Sequence, residues 1–313
     1  MASKMTIAGF PDVLDSRFRR MADGGFTEEK DMIGTFYSTE TPTQSTERIS
    51  GMTPMGLHSA FTGLIASDSP EQSYDVTAAF KEFALMTQIE RALLEYDNFK
   101  VIDGRYKYLG RSANETRQVH AARIFNQAFT NDTDSGIGTG FYIHSEAVAL
   151  CSDAHTTTKS GVSTTSGFDN AGTAALSKTA LLSGYIQFRK FKNLAGQPIG
   201  AHEANALVVP VDLKDKAEEL VGTIVGLDSA DQNKNVLKGR YNVIDWIRIT
   251  DVNNWFLVDQ SEMKDNLIWM DKVKKEFERE KDMQTKVALY SSYMIYHILR
   301  GPAWQWCYGS AVA

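Results

Sequence analysis

The chain has 313 residues, 42% hydrophobic and 23% charged, which excludes wholesale disorder and suits one large domain or two smaller ones sharing a core. Its 33 basic against 39 acidic side chains leave a net charge of −6 and a pI near 5.6. That balance excludes a surface built mainly to grip phosphates, but not a protein that merely encloses DNA.

Two cysteines, Cys151 and Cys307, stand in unrelated surroundings and make no disulfide framework, so a reducing compartment is the simpler reading. Met1–Phe10 lacks the apolar core of a secretion signal, and no apolar run reaches membrane-spanning length. A soluble protein made in the cytoplasm, with no membrane partner, is therefore expected.

From about Gly24 to Asp75 the sequence is dominated by Gly, Ser, Thr, Asp, Glu and Pro, with turn signals at Gly34-Thr35, Ser38 to Thr43 and Ser67 to Pro70. Phe36, Met52, Met55, Leu57, Phe61 and Leu64 are too few to form a core of their own. Such a stretch either stays disordered or is ordered by a partner.

Beyond Val76 the pattern changes. Ile89 to Glu95 predicts a short amphipathic helix closed by Asp97-Asn98. Ser112-Ala113-Asn114-Glu115 reads as a capping box opening a helix to about Ala128, with Ala113, Thr116, His120, Ile124 and Ala128 on one face. Asn131 to Gly136 would end it. Lys159 to Gly172 reads as a loop, Ala174 to Lys192 as a second helix, Ala206 to Pro210 as a buried strand, Leu213 to Val221 as a further helix and Gly226 to Asn235 as a polar loop. Strands are predicted at Tyr241 to Thr250, Trp255 to Asp259, Leu267 to Arg279 and Thr285 to Leu299. In Trp269 to Phe277 the alternation of apolar and charged residues is strand periodicity despite the charge run. The class is α+β.

The search for chemistry is negative. The six histidines His58, His120, His144, His155, His202 and His297 are dispersed without metal-ligand spacing. Cys151 and His155, four apart, are a candidate nucleophile–base pair, set against a structural thiol beside a surface histidine. Asp132 to Gly136 resembles the start of a calcium loop, but Ile143 stands where the closing Glu would be. Gly136-Ile137-Gly138-Thr139-Gly140 lacks dinucleotide-loop spacing. No catalytic residue, cofactor or metal site is assigned. Arg17, Arg19 and Arg20 form a small basic cluster, by default a solvated face and alternatively a contact to enclosed DNA. Trp304, Trp306 and Tyr308 fit a terminal strand docked in the core, or an inter-subunit anchor.

The order of these segments resembles the major capsid proteins of tailed bacteriophages with the HK97-type fold, including the major head subunits of Mu-like prophages. Ile89 to Asp97 and Thr116 to Asn126 look like the entry to that family's spine helix and the helix itself. Ala174 to Lys192, Ala206 to Pro210 and the Leu213 helix look like its second helix and the entry to its central domain. Trp255 to Asp259 and Trp304 to Ser310 look like its closing strands.

The resemblance implies an N-terminal arm at 1–46 and an extended β-hairpin, the E-loop, at 47–83. It implies a peripheral P-domain at 84–200, with the spine helix at about 112–129 and the second helix at about 174–192. The central A-domain would span mainly 201–285, with closing strands at 286–313. Met52, Met55, Leu57, Phe61, Leu64, Glu71 and Tyr74 become candidate inter-subunit contacts, and Arg17, Arg19 and Arg20 candidate DNA-facing residues.

Implied partners are further copies in pentamers and hexamers, portal and scaffolding proteins, and a decoration protein in some relatives. Double-stranded DNA would be enclosed without sequence recognition, in a virion assembled in the host cytoplasm. No helical scaffolding segment precedes the arm, so a separate scaffolding protein is implied. An encapsulin-like shell around a cargo enzyme, and a hydrolase using Cys151 and His155, are the alternatives.

Overall fold

A computed structural model describes residues 11–44, 46–61, 63, 65, 67–90, 96, 100–131, 145–222, 235–282, 284–285 and 287–312, the side chains of 11–15 and 100 excepted. The predicted features at Arg91 to Glu95, Asp132 to Gly140 and Gly226 to Lys234 lie outside those residues.

The backbone of the fold is helix Lys100–Asn126, 27 residues and about 40 Å long. Ile102, Tyr106, Leu109, Ala113, Ala121, Ile124 and Phe125 recur at helical spacing and are all buried. This stripe starts a full three turns before Ser112, which overrides the capping-box signal. Ser112 sits in mid-helix, its carbonyl accepting from the Thr116 hydroxyl at 2.8 Å, so the predicted start at about 112 is corrected to 100.

Ahead of this helix, Pro11–Phe26 (α1) and Ile33–Phe36 (α2) also fold into the chain's own core. Phe18, Ala22, Phe26, Ile33, Phe36 and Tyr37 are buried, although the composition of this region argued for an arm dependent on neighbours. The reason is a glycine-mediated close approach to Lys100–Asn126, which is α3. A Cβ on Gly110 would lie 1.8 Å from the Ala22 carbonyl oxygen, and one on Gly25 would lie 2.1 Å from that of Lys107. With the backbones so close, Phe18 reaches Tyr106 and Tyr290 at ring-centroid distances of 5.0 and 4.8 Å. Burying that one ring contributes roughly 2–3 kcal/mol.

α3 packs against α1 and against the first of two larger sheets. Strands Ser38–Glu40 (β1), Lys81–Glu90 (β4), Leu267–Lys281 (β9) and Val287–Arg300 (β10) form one, in the order β1-β9-β10-β4. β9 and β10 are a long antiparallel ribbon, irregular between Tyr293 and Tyr296. The predicted helix from Ile89 does not begin there, because Ile89 and Glu90 pair with Ala288 and Val287 as the end of β4.

The second sheet has the order β5-β11-β8-β6-β7, built from Ala171–Gly172 (β5), Ala206–Val209 (β6), Asn242–Asp245 (β7), Trp255–Val258 (β8) and Cys307–Ser310 (β11). β6, β8 and β11 are buried at every residue, which is why their apolar runs show no alternation. Helix Lys178–Phe188 (α4) is shorter than the predicted 174–192. The Ala174 carbonyl is taken by Trp255 Nε1 at 2.9 Å and the Ser310 hydroxyl at 2.7 Å, and Ser177 caps the helix through the Ala180 amide. Lys214–Gly222 (α5) follows β6, and Gln260–Asn266 (α6), absent from the sequence reading, is capped by Asp259.

The buried centre of the molecule is polar at one point. Arg117 on α3 makes a bidentate pair with Asp271 on β9, at 2.6 and 2.8 Å, beneath the Trp269 and Tyr296 rings. Three residues along, His120 Nδ1 and the Tyr296 hydroxyl lie 2.6 Å apart. Burial lowers the His120 pKa to about 4 and raises that of the Tyr296 phenol.

Candidate functional site

Strands Thr46–Met52 (β2) and Gln72–Ala79 (β3) form a two-stranded antiparallel hairpin separate from both sheets. Its foot is apolar: Val76 and Ala78 are buried with Met270 of β9 and Leu299 of β10, flanked by Ile49, Phe80 and Ile268. Arg48 ties β2 to Asp75 of β3 at 2.8 Å from Nε, and Asp75 is bound from the other side by Ser145, whose hydroxyl accepts its amide at 2.7 Å. The Arg48 guanidinium, first, holds the Asp75 carboxyl below the usual range.

Beyond the paired strands, the described residues of the segment 53–71 are tied at its base and at Asp68. Thr53 and Glu71 close its base, the Glu71 amide donating to the Thr53 hydroxyl at 3.0 Å. Asp68 accepts from the Gly56 amide at 2.6 Å and lies 3.2 Å from Lys159. Those two donors, the amide first, lower its pKa.

Between these ties the apolar side chains face outward. Met52, Met55, Leu57, Phe61 and Ile65 are between 70% and 86% exposed. At the far end of the paired strands, where the tip begins, a groove of about 460 Å³ is lined by Gly51, Met52 and Ser73 together with Pro198, His202 and Pro302.

The sequence-derived contact candidates therefore divide. Met52, Met55, Leu57 and Phe61 lie together on the exposed tip, and Leu64 falls outside the described residues. Tyr74 is engaged within the chain, its hydroxyl 2.5 Å from that of Thr156, and Glu71 acts through its backbone at the base of the tip. Ile65 was missed, although its position in an otherwise polar run carried the same signal as the residues named.

Of the three arginines, Arg17 is engaged by Asp103 of α3 through Nε at 2.9 Å and Nη2 at 2.6 Å. Its side chain stays about one-third exposed while paired. Arg19 and Arg20 are exposed on α1.

The Cys151–His155 pair does not form a catalytic dyad. His155 Nδ1 faces Glu146 Oε1 at 3.0 Å, and Nε2 faces the Leu150 carbonyl at 3.2 Å. Its ring is stacked on Trp304 with centroids 4.3 Å apart. Both nitrogens are committed away from the thiol, so none is placed to take its proton. Trp304 and Trp306 are fully buried, as a terminal core strand requires. Among the described residues no group of three or more His, Cys, Asp or Glu side chains is arranged to hold a metal, and no helix is long and apolar enough to cross a membrane.

A hairpin standing off a body of two sheets, with a long helix packed on the sheet that holds β4 and β10, defines the class as an HK97-type capsid fold. Solved phage shells share it. The chain is similar over 94% of its length to 90% of the capsid subunit of a native GTA particle, at 14% identity and a TM-score of 0.55. It is similar over 91% of its length to 87% of the mature capsid subunit of bacteriophage PhiM1, at 10% identity and a TM-score of 0.58. The capsid of Myoviridae phage XM1 matches over 91% of this chain and 93% of its own, at 10% identity and a TM-score of 0.55. No curated protein matches the sequence.

The model of the phage capsid protein family matches residues 73–308, and the chain belongs to that family. It is a structural subunit of a phage capsid, and the encapsulin-like alternative is not favoured.

Proposed function

We propose that this subunit closes into pentamers and hexamers of an icosahedral head enclosing double-stranded DNA, with the hairpin 46–79 as the E-loop that overlaps a neighbour. The observation carrying this reading is the exposed apolar tip, Met52, Met55, Leu57, Phe61 and Ile65. In a subunit that stayed alone these side chains would remain in water, whereas a neighbour's surface removes them from it. Each such contact is small, and repetition around every capsomer makes the lattice strong.

The sheet containing β9 and β10, with α3, corresponds to the P-domain, and the sheet containing β6, β8 and β11 to the A-domain. Arg19 and Arg20 are the candidates for the DNA-facing side. Portal and scaffolding proteins, and in some shells a decoration protein, complete the set of partners, with assembly in the host cytoplasm.

The test is electron microscopy of the purified protein beside a variant lacking Gly51 to Ser73. Shells, tubes or ring-shaped capsomers are expected from the full chain, and a folded, unassembled subunit from the deletion. Intact shells from the deletion would refute the hairpin's role.

A further inference from the structure

Cys151 and Cys307 lie 156 positions apart in sequence, yet their sulfur atoms are 3.9 Å apart. Both residues are buried and both thiols are free. Asn170, itself fully buried, holds the two segments in register. Its side-chain amide donates to the Leu150 carbonyl at 2.8 Å and to the Cys307 carbonyl at 2.9 Å, and its side-chain oxygen accepts from the Ser152 amide at 2.8 Å.

The residue opposite is glycine for a reason. A Cβ on Gly309 would stand 2.7 Å from the Cys151 sulfur. Arg300 is buried beside the pair, within electrostatic reach of both thiols, and its Nε and Nη2 have no hydrogen-bond partner among the described residues. A cation so placed favours the thiolate that starts thiol oxidation. Burial opposes it at Cys307, whose pKa is pushed well up.

We propose that Cys151 and Cys307 form an intramolecular disulfide when the subunit meets a hydroperoxide oxidant outside the reducing compartment in which it is made. One of the two thiolates attacks one peroxide oxygen, breaking the O–O bond and giving a sulfenic acid and hydroxide. The other thiol then displaces the sulfenic oxygen as water, so two thiols and one hydrogen peroxide become one disulfide and two waters. Closure needs the sulfurs to approach from 3.9 Å to about 2.05 Å. The bond would staple the segment around Cys151 to strand β11 and close a loop of about half the chain, constraining the unfolded state strongly.

The setting, a particle that leaves a reducing cell, rests on the capsid reading; the chemistry does not. A chain that oxidises without ever assembling would refute the shell function and leave this inference standing.

The experiment treats the full-length protein with hydrogen peroxide or with dithiothreitol, then unfolds it in N-ethylmaleimide and weighs it. The reduced chain should take two labels. The oxidised chain should take none, weigh two hydrogens less, run as a single subunit on a non-reducing gel, and unfold at higher urea than the reduced form. Dithiothreitol should restore both labels, and Cys307→Ser should abolish the effect. Two labels after peroxide, oxygen addition in place of hydrogen loss, or cross-linking between chains would each overturn the proposal.

Discussion

The most exacting test of the fold concerns Arg117 and Asp271, because the two halves of this ion pair sit in unequal surroundings. The Arg117 side chain is 2% exposed and that of Asp271 is 14% exposed. Replacing Asp271 with Ala removes both carboxylate oxygens and leaves the guanidinium buried against the Lys274 carbonyl at 3.4 Å and two aromatic faces. An orphaned buried cation of this kind costs about 3–5 kcal/mol. Replacing Arg117 with Met leaves Asp271 with the Trp269 indole donor at 2.9 Å and some access to water, so the cost should be only about 1–3 kcal/mol. The double variant, Arg117→Met with Asp271→Ala, buries no unpaired charge and should recover at least ~1 kcal/mol relative to Asp271→Ala alone. Urea unfolding of unassembled subunits, followed by tryptophan fluorescence, measures all three, with fully buried Trp269 beside the pair as a reporter. Equal losses from the two single variants, or a double variant as unstable as their sum, would refute the reasoning.

Other tests follow from the packing. Gly110→Val should lift α1 off α3, costing about 1–3 kcal/mol by overpacking and opening residues 11–26 to limited proteolysis; an undiminished protease-resistant core would contradict the close approach. His120 and His297 both have pKa values lowered by burial to about 4, below the 6.5 of an unfolded histidine. The unfolded chain therefore takes up protons first as pH falls. Stability is fully present above pH 6.5 and is lost between 6.5 and 4, by about 3 kcal/mol for each histidine. A urea midpoint flat across that window would exclude this. Leu57→Ser with Phe61→Ser and Ile65→Ser should leave subunit stability within about 0.5 kcal/mol while reducing assembly in sedimentation, the reverse of a core defect. Arg19→Gln with Arg20→Gln should leave shells intact and weaken their retention of DNA at raised salt; unchanged retention would remove α1 from the DNA-facing side.

Strands and helices with an unambiguous period were legible in the sequence. Alternation from Trp269 to Phe277 located β9, and the unbroken apolar runs of β6 and β8 announced strands buried on both faces. The failures share a cause. Phe18, Ala22 and Phe26 carry helical spacing, but their burial depends on Gly25 and Gly110 letting two backbones touch, a match between segments some 85 residues apart. Ser112 to Glu115 has the chemistry of a helix start, yet the stripe from Ile102 already commits the preceding turns. The candidate site was readable as exposed apolar residues in a polar stretch, because composition alone shows what a segment cannot bury by itself. The facing of Cys151 and Cys307 was not readable, since it is set by Asn170 and by a strand order that brings the C-terminal strand beside segments from the middle of the chain.

That strand order also bears on manufacture. β11 is an interior strand, bracketed by β5 and β8, so the sheet stays open until residues 307–310 have left the ribosome. A product of interrupted translation would carry a gap with unpaired backbone groups on two neighbouring strands and without Trp304 and Trp306. The fold thus ties closure of its second sheet to the arrival of β11, the last strand in chain order.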